Sequence, residues 1–336
     1  MKQITLNKKQ MKAVGCLVGG AVGDALGFPV EFFEDMKIFK KYGENGITDY
    51  ELHNGVAQIS DDTQMTLFTA EGILFSQSWE TMVESIYASY LNWYKTQTVK
   101  SPIADCGLLS IPTMYHTRVP GNTCLSALES GICGTIESPI NRSKGCGGIM
   151  RVAPIAIYCY NKQIPCIEAD MLAAKAAAIT HGHELGYIPA SFFVHILYRI
   201  LEGAELFDAV ADSIRVVPAL FVHSKYMQEL LVLLKKAIDL SVQETDELEA
   251  IRELGQGWVA EETLAIAVYC CLKYQNSFEQ AIIAAVNHSG DSDSTGAVTG
   301  NIIGAYLGAK NIPLKYLRNL ELFETVTDMA MQLCNN

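Results

Sequence analysis

Apolar residues recur at three-and-four spacing along most of the chain. The segments 63–76, 82–95, 171–180, 191–201, 226–240, 261–274, 278–286 and 295–309 each carry such a stripe, which predicts helices with one or more buried faces. Few stretches alternate in the two-residue rhythm of a strand, so the pattern predicts an all-α fold with the chemistry carried on loops. The stretch 136–148 is rich in Ser, Pro, Asn and Gly, yet it runs straight into Arg151-Val152-Ala153-Pro154-Ile155. It reads as a functional loop and not as a linker, so one domain over 1–336 is expected.

Two of the apolar segments carry glycine in register. Gly15, Gly19, Gly23 and Gly27 recur every four residues, and so do Gly296, Gly300, Gly304 and Gly308. Each glycine costs about 1 kcal/mol of helix propensity relative to Ala, so the stripes call for close backbone packing in return. The first stripe carries Asp24 and leads through Phe28-Pro29-Val30, a helix end, to Glu31. The second begins at an acidic cluster, so contact between the two helices would bring Glu31 to that cluster.

Composition narrows the class. The chain has 336 residues, 49% of them hydrophobic and 18% charged, which suits a globular protein with a sizeable core. A net charge of −12, with no basic run beyond Lys40-Lys41 or Lys235-Lys236, argues against a nucleic-acid groove and against a polybasic membrane surface. The ten cysteines are scattered with no C-x-x-C pair, as in a reducing cytoplasm. The N-terminal stretch lacks the apolar core of a secretory leader. The longest nearly uncharged runs, 11–23 and 294–309, fall short of the roughly 20 apolar residues a bilayer crossing needs.

The candidate chemistry sits in two acidic clusters, Ser60-Asp61-Asp62-Thr63 and Gly290-Asp291-Ser292-Asp293-Ser294-Thr295, each opening a long apolar stretch. Taken singly, either is accounted for by helix capping, because Ser, Thr and Asp are preferred N-caps and acids complement the helix dipole. Capping needs one acceptor, however, and each cluster crowds two acids with hydroxyls. A shared divalent cation removes that conflict. The donors are hard oxygens suited to Mg²⁺ or Mn²⁺, and neither cluster holds a His or Cys that would favour zinc.

Three further features are weaker alone. Glu31, beside Phe32 and Phe33, is either a surface carboxylate on a turn or a carboxylate held in an apolar site as a general base. The run 141–151 is a glycine-rich loop feeding a helix, which can cradle an anion but lacks the Gly-Lys-Ser/Thr of a Walker loop. Thr180-His181-Gly182-His183 suits loop hydrogen bonding or substrate contact better than metal binding, and His288 is placed to brace the second cluster. No Gly-x-Ser-x-Gly or activated cysteine pattern is present, so covalent catalysis ranks low.

In order, the segments 19–27 leading to Glu31, 60–63, 145–154, 180–181, 257–262 and 290–296 resemble the ADP-ribosylglycohydrolase family, which includes the dinitrogenase-reductase-activating glycohydrolases. The resemblance covers about residues 11 to 310. It implies a compact orthogonal multi-helix fold with two Mg²⁺ or Mn²⁺ ions at the bottom of a cleft for ADP-ribose. Ser60, Asp61, Asp62, Asp291, Asp293 and Ser294 would be the metal ligands, and Glu31 and Asp62 the catalytic carboxylates. Gly145, Gly147, Gly148, Ile149 and Met150 would hold the diphosphate, and His181 the ribose or a phosphate. The family frequently has Thr where Ser60 and Ser294 stand, and both positions keep the hydroxyl oxygen.

The activity implied is hydrolysis of the glycosidic bond between ADP-ribose and an acceptor, on an ADP-ribosylated protein or a small conjugate. Two other readings compete. A metal-dependent phosphohydrolase in an all-α fold usually carries a His-Asp pair, which this chain lacks. A non-catalytic ADP-ribose-binding protein would have lost ligands, whereas all six positions keep oxygen donors. The acceptor is not legible, although the loop 105–122 is a candidate to touch it.

Overall fold

The computed structural model describes residues 6–335; residues 1–5 and 336, including the start of the stretch read above for a secretory leader, lie outside it. A capping box between Asn7 and Gln10 opens α1 (Lys8–Gly27). A 3-10 turn at Phe28–Val30 and α2 (Asp35–Tyr42) follow, and Ser60 caps α3 (Asp61–Phe75). Next come α4 (Met82–Thr98), α5 (Asn122–Glu129), α6 (Ala153–Asn161), α7 (Cys166–Ala178) and α8 (Glu184–Glu202). The second half adds α9 (Leu206–Val216), α10 (Met227–Ser241), α11 (Glu247–Leu254) and α12 (Ala260–Lys273). It closes with α13 (Phe278–Val286), α14 (Ser292–Leu307), α15 (Leu314–Leu317) and α16 (Phe323–Asn335). Among the described residues extended pairing is confined to isolated bridges, such as Gly145 with Val259, so the fold is all-α.

The glycine stripes meet. Helices α1 and α14 run antiparallel, and a Cβ placed on Gly15, Gly19, Gly23 or Gly27 would fall 1.9–2.3 Å from the carbonyl oxygens of Gly304, Gly300, Gly296 and Ser292 respectively. Such distances are possible only without side chains, so the propensity lost to glycine is returned as backbone-to-backbone packing. Ala13 to Gly27 and Ser292 to Ala305 are buried without a break. This pair is the centre of the molecule, with α3, α8, α12, α13 and α16 packed around it.

Burial on every side explains two differences from the sequence pattern. The segment Lys8–Val30 is long and apolar enough to cross a membrane, yet 89% of its most apolar window is buried inside the protein. It extends past the run 11–23 at both ends, taking in Lys8 and Lys9 before it and Asp24 after it. Helix α8 begins at Glu184, not at 191, and runs through Pro189. An internal proline costs about 3 kcal/mol, but residues Leu185 to Tyr198 are all buried and their packing outweighs it.

Candidate active site

The first acidic cluster is anchored by a residue thirty-odd positions away. Asp24, fully buried on α1, accepts from the Ser60 N–H at 2.9 Å and from the Thr63 N–H at 3.1 Å, and also takes the Thr63 hydroxyl. It therefore caps α3 across the core, while the Ser60 hydroxyl accepts from the Asp62 N–H at 3.2 Å. Burial, then Asp293, pushes Asp24 up to about 7, against the pull of the Thr63 and Ser60 hydrogen bonds. The Asp61 carboxylate takes the Gly121 N–H at 3.4 Å, which ties the 119–122 loop to the cluster.

The second cluster starts α14. Asp291 Oδ1 accepts from the Ser294 N–H at 3.2 Å, so Asp291 is the N-cap. Behind it, Thr295 Oγ1 lies 2.8 Å from Asp291 O and 2.9 Å from His288 Nε2, so His288 braces the helix start as expected. Gly290 has a φ of +137°, and a side chain there would strike Gln256 O, the acceptor of the Asp291 N–H. Both acidic clusters thus cap helices, and both also face one cavity.

That cavity is a cleft of about 360 Å³ whose walls include Glu31, Asp61, Asp62, Asp291, Asp293 and Ser294. Among the described residues no Lys or Arg lines it. Burial first, and Asp293 next, drives Asp61, Asp62, Asp291 and Glu31 far above the usual carboxylate range, Glu31 to about 10. Burial likewise raises Asp293, while hydrogen bonds from Asp291 and Ser60 hold it back. Asp62 Oδ2 and Asp293 Oδ1 are buried with no hydrogen-bond partner among the described residues. Buried, unpartnered carboxylate oxygens on residues that line one cleft are a costly arrangement for the protein alone and a fitting one for hard divalent cations.

The opposite wall is the loop at 145–150. Cys146–Gly148 form a 3-10 turn pinned by the Cys146 N–H to Trp258 O at 3.2 Å. Ile149 and Met150 N–H both turn back to Cys146 O and Gly148 lies behind the wall, so the anion-cradling capacity narrows to the Gly147 N–H, which has no protein acceptor among the described residues. Helix α6 starts only at Ala153, so the loop is not its first turn. A side chain at Gly147 would strike Cys124 Sγ and His181. His181 is buried, lines the cleft, and has its Nδ1 2.8 Å from Thr180 Oγ1.

The structure gathers most of the residues singled out from the sequence and separates a few. Glu31, Asp61, Asp62, Asp291, Asp293, Ser294, Gly145, Gly147, Met150 and His181 line one cleft. Ser60 lies beneath the carboxylates, and Gly148 and Ile149 are buried behind the wall. His183 is no partner of His181: its Nδ1 caps α8 through the Leu185 N–H at 3.0 Å. Three contributors were not singled out. Asp24 positions α3; Cys146 reaches Asp291 Oδ2 with its thiol at 2.8 Å; and Phe32 stacks on Trp258 at the cleft wall, with ring centroids 5.2 Å apart. Phe32 adjoins Glu31, and Cys146 sits inside the glycine loop, so sequence position was the signal available for both.

The family model for ADP-ribosylglycohydrolase matches residues 5–336. The chain belongs to the ADP-ribosylglycohydrolase family. As a member it is a hydrolase of glycosidic bonds. It is 23% identical to ADP-ribosylhydrolase ARH3 of Mus musculus over 95% of this chain and 90% of the relative. ADP-ribosylarginine hydrolase Tri1 of Serratia proteamaculans is 27% identical, over 96% of this chain and 78% of the relative. ADP-ribosyl-[dinitrogen reductase] glycohydrolase of Rhodospirillum rubrum is 24% identical, over 93% and 90% respectively. A solved chain of an ADP-ribosylglycohydrolase-related protein complex superposes with a TM-score of 0.67 at 26% identity, covering 98% of this chain and 99% of that one.

Proposed function

We propose that the cleft hydrolyses the glycosidic bond between the distal ribose of ADP-ribose and an acceptor on a protein side chain or a small conjugate. One observation carries this reading: five carboxylates share a cleft that, among the described residues, no Lys or Arg side chain lines. A diphosphate does not enter such a space unless cations offset the charge. Two Mg²⁺ or Mn²⁺ ions do so, and Ser60, Asp61, Asp62, Asp291, Asp293 and Ser294 offer them hard oxygen donors. When bound, such ions supply Lewis acidity, orient ribose hydroxyls and lower the pKa of water.

The chain's own groups provide the rest. Asp62, with one oxygen free of protein partners, and Glu31, half-buried at the cleft wall, are the carboxylates available to take a proton from water. His181 offers an N–H to a ribose or phosphate oxygen, and the Gly147 N–H suits the diphosphate. Phe32, Val119 and Trp258 form apolar wall that restricts water at the leaving-group side.

The experiment is a panel of arginine-, serine-, O-acetyl-, phosphate- and nucleic-acid-linked ADP-ribose presented to metal-stripped protein. Free ADP-ribose is expected from at least one conjugate after Mg²⁺ or Mn²⁺ is restored, and not before. Asp62→Asn and Asp293→Asn are expected to abolish that release. Wild-type rates in both variants overturn the reading. Release of phosphate or AMP would identify a phosphohydrolase, and binding without release a non-catalytic ADP-ribose-binding protein.

A further inference from the structure

A thiol, a carboxylate and an imidazole that the cleft chemistry does not use come together where α7 begins. Cys166 is the first residue of α7, and Asp170 lies one turn further on the same face. His195 reaches them from the middle of α8, with Nδ1 2.8 Å from Asp170 Oδ2 and 3.4 Å from Cys166 Sγ. Cys166 Sγ is 3.7 Å from Asp170 Oδ1. On the other side of the ring, His195 Nε2 lies 3.3 Å from Asp212 Oδ2 on α9, and Asp212 pairs with Arg199 at 3.0 Å.

We propose that Cys166, Asp170 and His195 form a second metal site, distinct from the cleft, for a borderline-soft divalent cation of the Zn²⁺ type. The donor set selects the ion: thiolate and imidazole favour Zn²⁺ over the Mg²⁺ or Mn²⁺ suited to the all-oxygen cleft. Cys166 Sγ, His195 Nδ1 and one oxygen of Asp170 lie within 4.8 Å of one another. Bonds of about 2.3 Å to sulfur and about 2.0 Å to nitrogen or oxygen set ligand separations of about 3.5 Å from sulfur and about 3.3 Å between nitrogen and oxygen. The Cys166 Sγ–His195 Nδ1 distance of 3.4 Å agrees within about 0.1 Å, and the Asp170 carboxylate, whose Oδ1 faces the thiol and Oδ2 the imidazole, turns one oxygen to the ion.

Two further observations separate this cluster from an ordinary buried ion pair. An imidazolium bridging Asp170 and Asp212 satisfies both ring nitrogens without a thiol, yet Cys166 Sγ lies on the Asp170 side, against the same nitrogen. A metal on Nδ1 also requires the other ring nitrogen to donate to an orienting acceptor, and Asp212 is in place for that. Cys166 is partly exposed whereas Asp170 and His195 are buried, so the thiol is the side from which an ion would enter. Lying about 18 Å along α7 from the His181 end, the ion would clip α7 to α8 without touching substrate.

The test uses the full chain with excess Mg²⁺ holding the cleft, titrated with Co²⁺ as a spectroscopic probe for zinc. A thiolate-to-cobalt charge-transfer band in the near ultraviolet is expected to saturate near one equivalent. It is expected to vanish in Cys166→Ser and His195→Ala and to persist in Cys146→Ser and Asp293→Asn. Zn²⁺ is expected to raise the Tm of the wild type and not that of Cys166→Ser. Absence of the band from the folded wild type, its survival in Cys166→Ser, or its loss with Cys146→Ser overturns the proposal. Cys166→Ser replaces one atom at a partly exposed position, so it stays informative even where His195→Ala fails to fold.

Discussion

Thr180 Oγ1 lies 2.8 Å from His181 Nδ1, and that contact fixes which ring nitrogen carries the proton. Arg151 Nη2 donates to the same hydroxyl at 2.7 Å, and a guanidinium only donates, so the Thr180 hydrogen is not spent on Arg151 and is free for His181 Nδ1. Burial, with Arg151 adding to it, pushes His181 down to about 3, so the ring is neutral at physiological pH. With Thr180 donating to Nδ1, its one hydrogen is on Nε2, the nitrogen nearest Gly145 and Gly147 at the cleft wall. Arg151, fully buried and stacked over Tyr90 at 4.2 Å, is a positioning residue for a donor it does not touch.

Thr180→Val keeps the shape and removes the relay. The expected result is a fall of about tenfold in kcat/KM, matching a buried hydrogen bond of ~1–1.5 kcal/mol, with Thr180→Ser close to wild type. Nitrogen-15 shifts of the labelled histidine ring report the tautomer directly. Unchanged shifts in a folded Thr180→Val protein would show that Arg151 and Thr180 do not set the proton.

The α1–α14 contact makes a stability prediction free of chemistry. A methyl at Gly23 would sit 1.9 Å from Gly296 O, where no flexible side chain can give way. Gly23→Ala is expected to destabilise the fold by about 3 kcal/mol or to prevent folding, since overpacking against backbone forces whole helices apart. Gly121→Ala, where a methyl meets nothing within 4 Å, is expected to stay within about 0.5 kcal/mol of wild type. Urea denaturation of both variants checks the contrast, and equal midpoints would contradict the packing.

Legibility in the sequence follows the range of the interaction. Phe278–Val286 has the predicted bounds because its apolar spacing and the Ser277 cap are local signals. Pro189 hid the first turns of α8 because local rules end a helix there, while the burial that tolerates it is tertiary. The acidic clusters were legible as composition against spacing, since two acids exceed the needs of a cap. Asp24 was visible only as a residue on a glycine stripe. Its hydrogen bonds to Ser60 and Thr63 span 36 and 39 positions and exist only once α1 and α3 are packed. The relay from Arg151 to His181 was out of reach for the same reason, because burial of Arg151 has no periodic signature.

The crowded carboxylates make stability depend on pH in a definite sense. An acid that holds its proton more tightly when folded stabilises the fold fully below its unfolded pKa and loses that contribution as pH rises through its folded one. For Asp24 the window runs from 3.8 to about 7, and for Glu31 from 4.5 to about 10. Metal-free protein is therefore expected to have a lower Tm at about pH 8 than at about pH 5, and Mg²⁺ or Mn²⁺ to reduce that difference. Asp293→Asn is expected to raise the metal-free Tm at the higher pH, because Asp293 is the foremost charge acting on Asp24, Glu31, Asp61 and Asp62. Calorimetry of metal-stripped protein decides; a flat profile would mean that the carboxylates do not repel as placed.

Phe32 occupies the left-handed region at a φ of +65°, a conformation costing a non-glycine residue about 1 kcal/mol or more, and it is 60% exposed. The turn lets the ring stack on Trp258 at an interplanar angle of 23° while Glu31 lines the cleft beside it. Stacking is worth about 0.5–1.5 kcal/mol, enough to offset the strain, so Phe32→Gly is expected to leave stability nearly unchanged. Activity is expected to respond differently, because without the ring the Glu31 segment loses its hold on the opposite wall. A fall in kcat/KM of roughly fivefold, about 1 kcal/mol, is expected for Phe32→Gly and for Trp258→Ala, and no further loss for the double variant. A double variant whose losses simply multiply would show that the two rings act independently and that the stack does not hold Glu31.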